Sequence, residues 1–260
     1  MSHPRRCRCC GFLIAYLVLL FPVAASSSED LQQASTGRPR IALIIDDFGY
    51  EYAAGRRAVT LPGPVACAVL PATPRGRQLA ELAAQNGKEV LLHLPLQAQN
   101  YTGAVESGAL LLDMSREQFA ASFAENLASV PHVIGVNNHR GSLLTRHPGH
   151  MRWLMEELRA RGGLFFVDSY TTDHSIALQV AVEAGVKAGR RDVFLDTDRG
   201  AAAVAGEFSR LLLLARQHGS AIAIGHPYPE TLAFLEAALP RLATEGIDLV
   251  KLGDLLIKAH

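Results

Sequence analysis

The sequence predicts an α/β fold, a closed or nearly closed barrel of seven or eight β/α units. Three observations lead there. From about residue 40 onward, short apolar runs alternate with amphipathic helical patterns, the signature of parallel strands joined by crossover helices. The polar residues with chemical potential come directly after the apolar runs, and in a parallel barrel those strand ends share one face. No Gly-x-Gly-x-x-Gly follows the first strand, so a dinucleotide-binding sheet has no support.

The elements follow in order. Arg5, Arg6 and Arg8 precede the apolar run GFLIAYLVLLFPVAA, and Val23-Ala24-Ala25 has the small residues of a cleavage site. Residues 1–25 therefore read as a signal peptide. The run is short for a membrane span; an uncleaved anchor is the alternative. Export would place the protein in the periplasm or outside the cell, with no membrane span left after cleavage. Residues 26–39 are polar and Ser-rich and read as a linker. Residues 40–260 then form the folded domain.

Strands are expected at 41–45, 65–69, 90–92, 133–136, 164–167, 193–195, 221–224 and 248–250, and helices at 74–86, 115–129, 149–161, 174–184, 201–218 and 229–244. Ser115 with Gln118 has the spacing of a capping box, and Pro148 and Pro229 suit a first helical turn. Gly87, Gly162, Gly185, Gly219 and Gly246 stand where helices stop.

Composition narrows the function. Lys+Arg and Asp+Glu both number 25, a formal net charge of +0, which argues against a nucleic-acid partner. Cys7, Cys9 and Cys10 fall in the signal peptide, so the mature chain keeps Cys67 alone and forms no internal disulfide.

The strand ends carry the candidate site. Asp46 and Asp47 end the first apolar run, His93 the third, and Asn137, Asn138 and His139 the fourth; Asp168 ends the fifth, and His226 follows the run at 221–224. Two adjacent carboxylates remain ionised together if a cation neutralises one of them. Asp47, His93 and His139 are the candidate donors for a divalent metal, most readily Zn2+. Asp46 would then be the general base and His226 the acid that protonates the leaving group. Asp168, Arg140 and Asn138 are supporting candidates, with Asp168 orienting a neighbour or pairing with Arg140. Tyr228 is a candidate platform for a sugar ring. Asp196 reads as the start of a turn and is left out of the site.

The segments IALIIDDFGY, EVLLHLPLQ, GVNNHRGSLLT, GLFFVDSYT, RRDVFLD and AIAIGHPYPETL resemble the divergent polysaccharide deacetylase family, a branch of the NodB-like carbohydrate esterases, from about Arg40 to Leu255. The resemblance implies a distorted (β/α)7–8 barrel and a metal-dependent N- or O-deacetylase acting on an acetylated polysaccharide of the cell envelope. Carried over, Asp46 matches the base, Asp47 and His93 metal ligands, His226 the acid and Asp168 a supporting acid. Gln97 stands where NodB-type enzymes carry a second histidine on the third strand, and His139 is read as its replacement. Arg140 stands where the divergent branch usually has methionine; it would either orient the base or crowd the pocket. A catalytically silent barrel that binds glycan or an envelope partner is the alternative.

Overall fold

The alternating pattern is realised, in a computed structural model that describes residues 37–99 and 106–257, as a parallel sheet flanked by helices. The expected signal peptide and most of the expected linker lie outside the described residues. Among the described residues no helix is long and apolar enough to cross a membrane.

The strands are β1 (Arg40–Phe48), β2 (Ala66–Val69), β3 (Val90–Leu96), β4 (Val133–Arg140), β5 (Phe165–Asp168), β6 (Ala188–Arg190), β7 (Val193–Phe194), β8 (Ser220–Gly225) and β9 (Asp248–Leu249). Their order is β6-β5-β4-β3-β2-β1-β8-β7, with β9 also paired to β1. The sheet is thus a curled barrel whose seam lies between β6 and β7. The helices are α1 (Tyr52–Val59), α2 (Gly76–Gln85), α3 (Arg116–Ser129), α4 (Pro148–Ala160), α5 (Ala177–Glu183), α6 (Ala201–His218) and α7 (Pro229–Ala238).

Two elements escape the sequence patterns for physical reasons. α1 is eight residues long and contains Gly55, and β6 is the three-residue stretch Ala-Gly-Arg; both are too short to show a period. α7 stops at Ala238, and a single 3-10 turn containing Pro240 follows, because proline has no N–H to continue the helix. The capping box at Ser115 and Gln118 forms in both directions, and Pro148 and Pro229 open α4 and α7.

Side chains alternate along a strand, so one parity faces the barrel interior and the other faces the helices. The inner set includes Ala42, Ile44, Ala66, Ala68, Leu91, Phe165, Val167, Ile222 and Ile224. Residues of β5 and β8 meet in it although they lie far apart in strand order, which is what curling achieves. The outer set, including Ile41, Leu43, Ile45, Leu92 and Phe166, packs against the helices. Gly135 belongs to the inner parity, and a Cβ there would stand 2.2 Å from the Phe165 ring. The small residue lets that ring fill the interior.

Candidate metal centre and its acid–base partners

Continuing the inner parity toward the C-terminal strand ends brings the polar residues together. Ala42 and Ile44 lead to Asp46, Leu91 to His93, Gly135 to Asn137 and His139, Phe194 to Asp196, and Ile222 and Ile224 to His226. β1, β3 and β4 run beyond their apolar bodies, so Asp46, His93, Asn137 and His139 lie within the strands, while Asp196 and His226 follow the ends of β7 and β8. Strand register sets His93 beside Asn137 and Pro95 beside His139.

Asp47 breaks parity, since strict alternation would send it away from Asp46. The pairing of β1 with β2 shifts register between Ile45 and Phe48, and Asp47 has φ 59°. Such a bulge re-aims a side chain, and Asp is among the residues that best tolerate left-handed backbone. Both carboxylates therefore reach His93 Nε2, Asp46 Oδ2 at 3.5 Å and Asp47 Oδ1 at 3.3 Å.

The three expected donors converge. Asp47 Oδ1 lies 3.3 Å from His93 Nε2 and 3.2 Å from His139 Nδ1, and the two nitrogens are 3.1 Å apart. Three ligands held about 2.1 Å from one ion, at angles of roughly 90–110°, would stand about 3.0–3.4 Å from one another. The triangle has that size. Asp47 Oδ1 is also buried without a properly formed hydrogen bond, a costly arrangement unless something else satisfies it. The residues fit a divalent cation.

Each imidazole is held by its far nitrogen. His93 Nδ1–H donates to Asn137 Oδ1 at 2.9 Å, which turns the Nε2 lone pair toward the triangle. His139 Nε2 faces the Glu106 carboxylate at 3.1 Å, which turns Nδ1 inward. Such outer partners fix tautomer and ring orientation in metal sites. Arg140 Nε also approaches His139 Nε2, at 3.2 Å, but it donates to Glu106 Oε1 at 3.1 Å as well. Glu106 is the acceptor that can serve both neighbours, so we take it as the shared partner.

The charges sort the two acids. Burial is the largest influence on Asp46 and raises its pKa, partly offset by His93 and His226. Burial acts the same way on Asp47, but the imidazoles of His139 and His93 close beside it outweigh it and hold the carboxyl far below its usual range. For His93, burial disfavours the imidazolium; Asp46 and Asp47 overcome it and push the pKa up to about 9.

The acid side is built separately. Asp196 Oδ1 accepts from His226 Nδ1 at 2.9 Å, while Oδ2 accepts from the His226 backbone N–H at 2.6 Å and from Thr231 Oγ1 at 2.8 Å. Burial opposes protonation of His226, but the Asp196 hydrogen bond and the nearby carboxylates win and raise its pKa. Its Nε2 points inward, 3.7 Å from Asp47 Oδ2.

The supporting candidates make the following contacts. Asn138 is out of parity: its Nδ2 donates to Arg140 O and its Oδ1 accepts from Ser169 N, bracing the β4 end. Its neighbour Asn137 takes the site role, bridging Asp46 and His93, with Nδ2 donating to Asp46 Oδ1 at 2.8 Å. Asp168 is also out of parity. It accepts from Tyr170 N and Ser175 Oγ, shaping the loop after β5, and does not pair with Arg140. Arg140 binds Glu106 at 3.0 Å. Tyr228 stacks on His226 with ring centroids 5.3 Å apart and carries Arg199 over its ring. Gln97 Oε1 accepts from Leu112 N and ties down the chain that pairs with β3. Asn137, Asp196 and Glu106 are the site residues that sequence reasoning missed; inner parity marks the first two.

Fold and site together define a NodB-like (β/α) barrel with a candidate metal centre at its strand ends. The chain belongs to the divergent polysaccharide deacetylase family, which it matches over residues 43–256. It is 39% identical over 223 residues to an uncharacterized protein of Haemophilus influenzae, covering 85% of this chain and 78% of that one. It is 37% identical over 217 residues to the uncharacterized protein YibQ of Escherichia coli, covering 84% and 67%. Among solved structures, an uncharacterized protein of Agrobacterium tumefaciens superposes with a TM-score of 0.80 at 22% identity, covering 85% of this chain and 90% of that one. A mutant of peptidoglycan deacetylase PdaC from Bacillus subtilis gives 0.52 at 15%, covering 84% and 90%. A mutant CE4 family pseudoenzyme gives 0.52 at 13%, covering 84% and 67%. These structural likenesses describe the fold.

Proposed function

We propose that the protein is an exported metal-dependent deacetylase that removes N- or O-acetyl groups from a cell-envelope polysaccharide, working in the periplasm or as a secreted protein. The observation that carries this reading is the triangle of Asp47 Oδ1, His93 Nε2 and His139 Nδ1, with Asp46 and His226 on its flanks. A cation held there, most readily Zn2+, supplies a Lewis acid for the acetyl carbonyl and acidifies a water.

The chain's own residues do the rest. Asp46 is buried with a raised pKa, so it takes a proton more readily than an ordinary carboxylate. Asn137 holds one of its oxygens and leaves the other facing the centre. Asp47, kept ionised beside it, is the anchoring charge. Neighbouring carboxyls driven apart in pKa divide the labour between base and ligand. His226, whose affinity for a proton Asp196 raises, delivers a proton from Nε2 to the departing amine or hydroxyl oxygen.

The test pairs metal analysis of the purified protein with acetate release from chitooligosaccharides and peptidoglycan. Stoichiometric metal lost in His93→Ala or His139→Ala, with acetate release lost in Asp46→Ala, is the expected result. The rival is a silent barrel that binds glycan, favoured by Gln97, whose amide is committed to Leu112 N rather than to the centre. Tight glycan binding with neither metal nor acetate release would establish it.

A further inference from the structure

A second cleft opens beside the centre, along the barrel seam. It has a volume of about 850 Å³ and lies among the ends of β5 and β7 and the first turns of α6. Its floor is aromatic and half-buried, formed by Tyr170 and Phe194 with Arg191 between them. The rim is polar and exposed, with Thr197, Asp198 and Arg210. Arg190 lies 4.3 Å from the Tyr170 ring centroid and Arg191 4.9 Å from that of Phe194, which fixes both rings. Arg191 is further tied to the carbonyls of Ser169 and Tyr170.

The cleft's charges are answered within it. Arg210 is paired with Glu207 at 2.8 Å, and Arg191 and Asp198 carry opposite signs. An anionic ligand would find no excess of cation. Rigid rings on the floor with hydrogen-bonding groups on the rim suit an uncharged, hydroxyl-rich ligand whose apolar faces rest on the rings.

Position says which part of a substrate belongs there. Phe194 lies 5.2 Å from the His226 ring, so the cleft begins at the acid. The group that His226 protonates is attached to the sugar, so the sugar leaves the centre past Phe194. On the far side, at His139, the cleft lined by Asp47, Leu70, Glu106 and Arg140 measures only about 290 Å³. We propose that the seam cleft is the subsite for the neutral sugar residues that carry the acetyl group, so that the polymer crosses Phe194 and Tyr170 while the acetyl group faces the His139 side. This orientation rests on the deacetylase reading.

Gly206 offers the test. It lines the cleft from within α6, and a Cβ added there meets nothing within 4 Å. Gly206→Trp fills the cleft and raises helix propensity at an exposed position, with retained folding checked by circular dichroism. In the full chain loaded with zinc, the ratio of kcat/KM for chitotetraose to that for 4-nitrophenyl acetate should fall about tenfold or more, about 1.4 kcal/mol of lost sugar contact. An unchanged ratio overturns the subsite. Binding of chitotetraose and of muropeptides, followed by ligand-observed NMR, separates the two claims. If the unaltered protein binds sugar without releasing acetate, the deacetylase reading fails while weaker binding by Gly206→Trp still supports the cleft. Equal binding by both proteins, or none by the unaltered one, overturns it.

Discussion

The two histidine-bearing halves of the site are built on opposite principles. Around His226 the positioning contacts come from the protein: Asp196 accepts three hydrogen bonds and Thr231 and Tyr228 hold the pair in place, which leaves Nε2 facing the centre 3.7 Å from Asp47 Oδ2. Around His93 and His139, three donor atoms crowd together and Asp47 Oδ1 is left without a well-formed hydrogen bond. The His226 half is held by its own hydrogen bonds, while the triangle has the size and the donors to take a cation. Removing a group from the triangle should therefore abolish an ion, whereas removing one from the acid half should slow a reaction and leave the ion in place.

The largest effect is expected from the triangle. His93→Ala or Asp47→Ala should lower zinc affinity by more than about 100-fold, beyond what loss of an outer partner does, with acetate release falling below detection; isothermal titration with zinc reads the first and an acetate assay the second. Next comes Asp196→Asn, which leaves His226 in place but removes a charge that raises its pKa. Acetate release should fall by about 10²–10⁴-fold, the range for a general acid, and the basic limb of its pH profile should move to lower pH. Zinc affinity should stay put, and a loss of zinc there would break the contrast between the halves.

Inner parity was present in the sequence and explains much of what was and was not legible. The apolar bodies gave every strand but β6 and every helix but α1, and the polar ends gave Asp46, Asp47, His93, His139 and His226. Counting by twos from Gly135, or back from His139, selects Asn137 over Asn138. Counting from Phe194 selects Asp196, whereas Phe165 and Val167 leave Asp168 facing the other way. Glu106 was not legible. It lies far from β4 in sequence, and only tertiary packing brings it to His139. The bulge at Asp47 was equally hidden, because it depends on how β1 pairs with β2.

Glu106 gives a smaller, sharper prediction. Glu106→Ala should weaken zinc binding by about 10–100-fold, the usual effect of losing an outer partner of a metal-bound imidazole. An unchanged affinity would mean that the carboxylate merely answers Arg140. The smallest effect concerns pH. The His93 pKa is raised to about 9 in the metal-free protein, so zinc must displace a proton below that value. Affinity should climb by up to about tenfold per pH unit as pH approaches 9 and then flatten. The stability that protonated His93 lends the metal-free fold is full below the unfolded imidazole value of about 6.5 and is lost as pH rises through about 9. Thermal melts with and without a chelator across that window would show whether zinc removes the dependence.

The central claim is that three strands of the barrel, β1, β3 and β4, hold one ion between them at their C-terminal ends. Anomalous diffraction from crystals of the zinc-loaded protein, recorded at the zinc edge, tests it most directly. The account predicts a single peak at the triangle, about 2.0–2.2 Å from Asp47 Oδ1, His93 Nε2 and His139 Nδ1. A triangle without a peak, or zinc bound only at other residues, would contradict it.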